Sequence, residues 1–515
     1  MKIACMVPFS HSEFRFKNIK DSVHLSNFNI LSGYLKNNYY TVEIFDFLYD
    51  ESANYESEAI KYKHYSPDIV IISAIFCLED LDFYRQFEHI NDKKTIVICC
   101  GVGVLDYRLA LERMDFIDYI VPVNDEHIIY TLLHHLKHNL PIRAVEGVAY
   151  KEEGSIRFTS PDTCDLDAIF DVQKLEDYIS KEDTSMAYIV ASRGCWYKKC
   201  TFCTIGAASA LYRRKSWFDR DIHRVIQEIQ SLYKLNINKY HFLDTEFIGP
   251  GKHGQERTME FARVIIASGI KIKFIIDSRV ENVQYETFET LKKAGLVRVF
   301  LGIESGCQKT LDRLRKGQKI DEIKNALDIL NELKLDYKIG SILAAPDSDL
   351  TDIKESLDFF TAQRLYKVMG VVGVGSIFHQ LHLHGGTDDY IGYTSHIKMF
   401  GKAGSEIPTT YYNSEVQFFI DCAEQLQKRV IKRYHESTVG QKAEDESFRY
   451  IYRSYQNALR VLSFSILKSI IAFIESTSDF GNKEAQCDEM IEAELKKFDD
   501  YWERRISKFE KEVRL

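Results

Sequence analysis

Short apolar, strand-like runs alternate with amphipathic helical stretches over most of this chain, and only helical patterning follows after about residue 386. These two observations predict an α/β protein with a helical C-terminal part. The alternation breaks once, over residues 159–185, which contain Pro161 and no sustained periodicity. The expected organisation is a Rossmann-like domain at 1–158, a linker at 159–185, a partial (β/α)6 barrel at 186–386 and an α-helical domain at 387–515. A chain of 515 residues is too long for a single core, which agrees with this division.

In the first part, Lys2 to Val7, Thr41 to Phe45, Asp68 to Ile75, Thr95 to Cys100 and Asp118 to Val121 read as strands. The stretches Leu25 to Lys36 and Asp82 to Ile90 between them have helical apolar spacing. Such alternation predicts a parallel sheet covered on both faces, with ligands bound at the carboxyl ends of its strands. Residues 146–158 read as a hairpin turning at Glu153-Gly154.

The alternation restarts at Met186. Strands are expected at Met186 to Val190, Lys239 to Leu243, Ile272 to Ile276, Val297 to Ile303, Tyr337 to Leu343 and Val368 to Leu383. Ile222, Val225, Ile226, Ile229 and Leu232 mark the apolar face of a helix between the first two. Six such units make an open barrel with its chemistry at the carboxyl ends of the strands. Val416 to Arg433, Tyr450 to Ile474 and Met490 to Val513 read as helices of a cap or oligomer surface.

A net charge of −9 argues against binding nucleic acid by broad phosphate neutralisation. The N-terminus reaches Pro8 before an apolar region of signal-peptide length accumulates. The apolar segment Val461 to Ile474 is interrupted by Lys468 and is too short to span a bilayer. Scattered single cysteines fit a reducing compartment. A cytoplasmic protein with no membrane or nucleic-acid partner is expected.

The chemistry is concentrated in Ala191-Ser-Arg-Gly-Cys-Trp-Tyr-Lys-Lys-Cys-Thr-Phe-Cys-Thr-Ile-Gly206. Cys195, Cys200 and Cys203 form C-x4-C-x2-C at the end of the first barrel strand. Three thiolates in one short loop suit a four-iron cluster that keeps one iron open to a small ligand. The alternatives are a structural zinc site and simple buried thiols. Zinc needs a fourth ligand, and no Cys or His pair of suitable spacing follows nearby.

With Phe202 before the last cysteine, this loop resembles that of the radical S-adenosylmethionine (radical SAM) enzymes. Their commoner spacing is C-x3-C-x2-C, so this chain carries one extra residue. The resemblance implies a [4Fe-4S] cluster on the three cysteines, reductive cleavage of S-adenosylmethionine, and an electron donor such as flavodoxin or ferredoxin. It also implies roles at successive strand ends. Asp244 and Glu246 are candidates for the methionine ammonium, and Ser278 with Arg279 for its carboxylate. Glu304 with Ser305 resembles the ribose-binding element, and Ile205, Gly206 and Ile342 resemble adenine contacts. For the acidic and basic residues the plain alternative is a solvated strand end or a surface ion pair; for the apolar ones it is ordinary core. His382, His384 and Tyr390 are weak catalytic candidates, with surface or packing roles read first.

The first domain resembles the cobalamin-binding domain of one large radical SAM subclass. The likeness rests on Ser73-Ala74-Ile75, on the glycine pair of Cys100-Gly101-Val102-Gly103, and on Asp118 to Glu126. The Asp-x-His-x-x-Gly motif that supplies a histidine ligand to cobalt is absent, so a bound cobalamin is expected to lack one. A Rossmann-like packing module that binds nothing is the alternative. The implied activity is methyl transfer to an unactivated carbon of a small-molecule or peptide substrate. Its first rival is hydrogen abstraction followed by rearrangement, elimination, sulfur insertion or epimerisation. A non-catalytic metal-binding assembly protein is the second.

Overall fold

The computed structural model describes residues 1–7, 23–47, 53–74, 79–88, 95–123, 125–159, 185–212, 216–368, 381, 383–394, 406–407, 411–441, 446–476 and 482–513. The proposed linker falls outside them except for its end residues, Thr159 and Ser185.

In the first part the described elements are β1 (Lys2–Val7), α1 (Val23–Asn37), β2 (Thr41–Asp46), α2 (Ala53–Tyr65), β3 (Ile69–Ser73), β4 (Ile96–Cys100), α3 (Tyr107–Arg113), β5 (Tyr119–Val121), α4 (Glu126–Lys137), β6 (Ala149–Glu152) and β7 (Ser155–Phe158). The sheet order is β2-β1-β3-β4-β5-β6-β7. β1 to β5 pair in parallel, and β6 and β7 extend the edge antiparallel. β3 is buried at every position, as a strand covered on both faces must be. The hairpin turns where expected, with positive φ at both Glu153 and Gly154, the geometry that matches strand twist. The stretch read as a helix at Asp82 to Ile90 is instead a 3-10 helix over Glu79–Gln86 among the described residues.

The second part contains β8 (Met186–Ile189), β9 (Ser192–Gly194), α5 (Thr204–Leu211), β10 (Trp217–Asp219), α6 (Ile222–Lys234), β11 (Lys239–Phe242), α7 (Gly251–Ser268), β12 (Lys273–Ser278), α8 (Tyr285–Ala294), β13 (Leu296–Glu304), α9 (Gln308–Arg313), α10 (Ile320–Glu332), β14 (Asp336–Ser341) and α11 (Leu350–Ala362). Five described strands form a parallel sheet in the order β14-β13-β12-β11-β8. Ala187, Ile189, Phe242, Phe274, Ile276, Val299 and Leu301 are buried against the helices. The intervening Tyr188, His241, Ile275, Asp277 and Phe300 are partly exposed and line the other face. The sixth strand expected at Val368 to Leu383 falls mostly outside the described residues. Its end differs from the expectation: β15 (Leu383–His384) pairs antiparallel with β16 (Glu406–Ile407). The β9–β10 ribbon was not anticipated; three residues are too few to show a period.

The C-terminal part holds α12 (Asp388–Thr394), α13 (Ser414–Gln441), α14 (Glu446–Ser476) and α15 (Lys483–Val513). Its long helices share the barrel's core: Val416, Phe419, Phe464 and Ile470 join the same apolar cluster as Leu357 and Phe360 of α11. The apolar segment read as too short for a span lies within α14, whose stretch Arg449–Ser476 is long and apolar enough to cross a membrane. Leu459, Leu467 and Ile471 of that helix are nevertheless buried in the protein core.

Candidate functional site

The cysteine loop is held at both ends by the barrel. The Ser192 hydroxyl donates to Asp244 at 2.5 Å, and the Cys195 N–H to the Ser216 carbonyl at 2.9 Å. Thr201 N–H bonds the Leu314 carbonyl at 3.1 Å. Gly194 has φ 87°, and a Cβ there would lie 2.0 Å from the Ser216 oxygen, so only glycine lets β9 approach β10 this closely. Gly206 is similarly constrained by the Lys198 carbonyl, 2.8 Å from where its Cβ would be.

Cys203 is the N-cap residue of α5, with the Gly206 and Ile205 N–H groups at that helix start beside it. Burial pushes its thiol up to about 11, while those N–H groups favour the thiolate. Cys200 and Cys195 are near enough to raise it further. Burial also raises Cys200, opposed by the charges of Lys316 and Arg279. The donor set therefore fits a thiolate-held soft-metal cluster: two cations and a helix N-terminus favour the thiolate forms of the loop cysteines. Among the described residues no three His, Cys, Asp or Glu side chains converge as ligands of a single ion.

Arg279 reaches this loop from the end of β12. Its guanidinium lies 3.7 Å from the Cys200 sulfur, donates to the Lys316 carbonyl at 2.7 Å, pairs with Glu281 at 2.5 Å and lies 4.0 Å from the Tyr197 ring centre. Glu304, at the end of β13 with φ 67°, accepts from the Lys316 ammonium at 2.9 Å. Phe202 packs on a small cluster containing Ile342, Leu383 and Tyr390. The structure thus brings together the cysteines, Arg279, Glu304, Phe202, Ile342 and Tyr390.

Other expected site residues turn inward. Asp244 takes the Ala191 N–H and the Ser192 hydroxyl, and Glu246 takes the Gly249 N–H and the Asn282 amide. Burial pushes them up to about 6 and about 7. Both brace the strand ends, with their described bonds made to protein. Ser305 is fully buried on Ser356 and the Cys307 N–H rather than facing Glu304's partner, and the Ser278 hydroxyl donates back to the Arg279 carbonyl. His384 lies partly exposed on β15, and His382 is outside the described residues. In the first domain, Gly101 and Gly103 are needed by the chain itself. A Cβ at either would lie 2.4 or 2.8 Å from the Ala74 carbonyl oxygen. The close approach of Ala74 accounts for glycine at both positions. Ser73 and Cys100 line a small cavity with Phe28, Leu31, Asp125, Glu126 and Ile129, and the buried Ser73 hydroxyl has no partner among the described residues.

Three residues were given no role by the sequence reading. Lys316 sits in Arg313-Leu-Arg-Lys-Gly317, which resembles any basic surface turn, yet it is buried on Glu304. Asp389 bonds the Thr201 hydroxyl at 3.0 Å, so α12 clasps the cysteine loop. Asp277 faces the barrel interior between the lumenal positions of β11 and β13, opposite Phe300, and burial with the charge of Asp244 pushes it up to about 8.

Residues 189–360 match the radical SAM superfamily. The chain is 26% identical over 312 residues to an uncharacterised methyltransferase of Pyrococcus horikoshii, covering 58% of this chain and 64% of that protein. It is 25% identical over 351 residues to the 4′-phospho-dehydrooxetanocin synthase of Priestia megaterium, covering 61% and 45%. The chain thus spans between 45% and 64% of the length of these two curated relatives. Its fold is like that of the cobalamin-dependent S-adenosylmethionine radical enzyme OxsB with aqua-cobalamin and S-adenosylmethionine bound. The TM-score is 0.73 at 17% identity, over 100% of this chain and 80% of that one.

Proposed function

We propose that this chain, whose residues 189–360 match the radical SAM superfamily, is a radical SAM enzyme that uses cobalamin to transfer a methyl group to an unactivated carbon of a small-molecule or peptide substrate. The observation that carries the catalytic reading is the meeting of Cys195, Cys200 and Cys203 with Arg279 and the Lys316–Glu304 pair at the carboxyl ends of parallel strands. The three cysteines would hold a [4Fe-4S] cluster, which supplies the electron and the open coordination position for reductive cleavage of S-adenosylmethionine. An external donor such as flavodoxin or ferredoxin would deliver that electron.

The chain's own residues bind and orient. Glu304 offers a buried carboxylate to paired hydroxyls, Arg279 offers a forked cation beside the cysteine loop, and Phe202 with Ile342 supplies an apolar wall. Asp244 and Glu246 hold the strand ends that carry these groups. Cobalamin would lie at the carboxyl edge of the first sheet, where the unpartnered Ser73 hydroxyl offers a polar contact. It would supply the methyl group.

The relatives support this reading through the methyltransferase and the cobalamin-dependent fold. The relative named as a synthase rather than a methyltransferase favours a second reading in which the radical rearranges substrate without methyl transfer. The test is anaerobic protein reconstituted with iron, sulfide and hydroxocobalamin, then desalted. Retained cobalamin in the base-off form beside the cluster band supports methyl transfer or another cobalt-assisted reaction, and a methylated product rather than 5′-deoxyadenosine alone singles out methyl transfer. A cluster that cleaves S-adenosylmethionine without retained cobalamin leaves the second reading.

A further inference from the structure

The strand entering the cysteine loop is gripped from the first domain. Arg193, two residues before Cys195, donates two parallel bonds to Glu126, at 2.6 and 2.7 Å. Glu126 is 2% exposed and opens α4, where a carboxylate is favoured by the helix N-terminus. Its neighbour Asp125 caps that helix on the Ile128 N–H. Glu126 also lines the small cavity reached by Ser73 and Cys100, at the ends of β3 and β4. One side chain therefore adjoins both the ligand edge of the first sheet and the cluster loop.

The neighbouring positions leave little slack. Ser192 is tied to Asp244, Gly194 is pressed on Ser216, and the Cys195 N–H is bonded to Ser216. Arg193 is the residue of β9 that reports to the first domain rather than to the barrel. Three residues before Arg193, Val190 packs on Ile30 and Tyr34 of α1, with Phe218 and Leu243 against them, so an apolar contact accompanies the charged one. A forked, largely buried pair of this kind fixes direction as well as distance.

We propose that Glu126 is a positioning residue for the cluster: by clamping Arg193 it holds the cysteine loop against the first domain, so that a ligand at the edge of the first sheet alters the cluster's surroundings. The second half rests on the cobalamin reading, and the clamp itself does not.

The test uses full-length protein with its cluster reconstituted, with and without hydroxocobalamin. Amide hydrogen exchange over residues 191–206 and the electron paramagnetic resonance spectrum of the reduced cluster are read for wild type, Glu126→Gln, Arg193→Glu and the Glu126→Arg/Arg193→Glu exchange. Both single variants are expected to exchange roughly tenfold faster over 191–206. Their cluster spectrum should shift, and the reversed pair should restore both. Hydroxocobalamin is expected to slow exchange in wild type and to leave Glu126→Gln unchanged while still being retained by it. Wild-type exchange and spectrum in Glu126→Gln would overturn the clamp, and this variant is close enough in shape to fold. If wild type retains no cobalamin, the cobalamin reading and the communication built on it both fail, and the metal-only comparison still decides the clamp. If cobalamin is retained but alters Glu126→Gln and wild type alike, the clamp is not the route.

Discussion

Individual side chains at this site have properties their neighbours impose. Lys316 and Glu304 are a buried pair with 8% and 11% of their side chains exposed. Replacing Lys316 with Met strands the carboxylate and is expected to cost about 3–5 kcal/mol in urea unfolding, because an unpaired buried charge is worse than either a pair or none. Glu304→Gln removes the charge while keeping the shape. S-adenosylmethionine affinity, by equilibrium dialysis, should fall roughly tenfold or more, as expected for loss of charge-assisted bonds; unchanged affinity would dismiss the ribose assignment. Asp277 gives a pH signature. Its value of about 8 lies above that of an unfolded aspartate, so the native state binds the extra proton between about pH 4 and pH 8. Stability therefore falls as pH rises through that window, with a ceiling of about 5 kcal/mol. Asp277→Asn should flatten the pH dependence of Tm and raise Tm above pH 8 relative to wild type. Parallel pH profiles for the two proteins would mean that the carboxyl is already ionised at neutral pH.

Among the elements, the short β9–β10 ribbon matters most, because it aims the cysteine loop. Gly194→Ala adds a methyl where φ is 87° and the Ser216 oxygen stands 2.0 Å away. A destabilisation of at least about 1 kcal/mol is expected, with loss of iron incorporation; full iron content with an unaltered Tm would show that the ribbon can move aside. The main strands of both parallel sheets and the helices at Val23–Asn37 and Ile222–Lys234 were legible in sequence, since period two and period 3.6 are repeated often enough there to distinguish. The ribbon, the 3-10 helix at Glu79–Gln86 and the clasp of α12 on Thr201 were not. The ribbon and the clasp depend on contacts between segments far apart in the chain, such as Thr201 with Asp389.

At the scale of the whole molecule, α14 tests how the helices and barrel form one core. Leu467 is fully buried and Val461 is 47% exposed. Leu467→Lys should destabilise by about 4 kcal/mol or more by chemical unfolding, and Val461→Lys by about 0.5 kcal/mol or less. Equal damage from both would fit a helix surrounded by lipid instead.

By itself the sequence determined the α/β alternation, the helical end, and the C-x4-C-x2-C loop with its soft-metal chemistry, because periodicity and thiol spacing are local. It also located Arg279 and Glu304 at strand ends. Tertiary structure decided which polar groups face the site. Lys316 became a buried counterion, Asp244 and Glu246 became braces, and the glycine pair at 101 and 103 was filled by Ala74. The direction of a side chain at a strand end and the desolvation it meets are set by the residues packed opposite, which lie tens to hundreds of positions away.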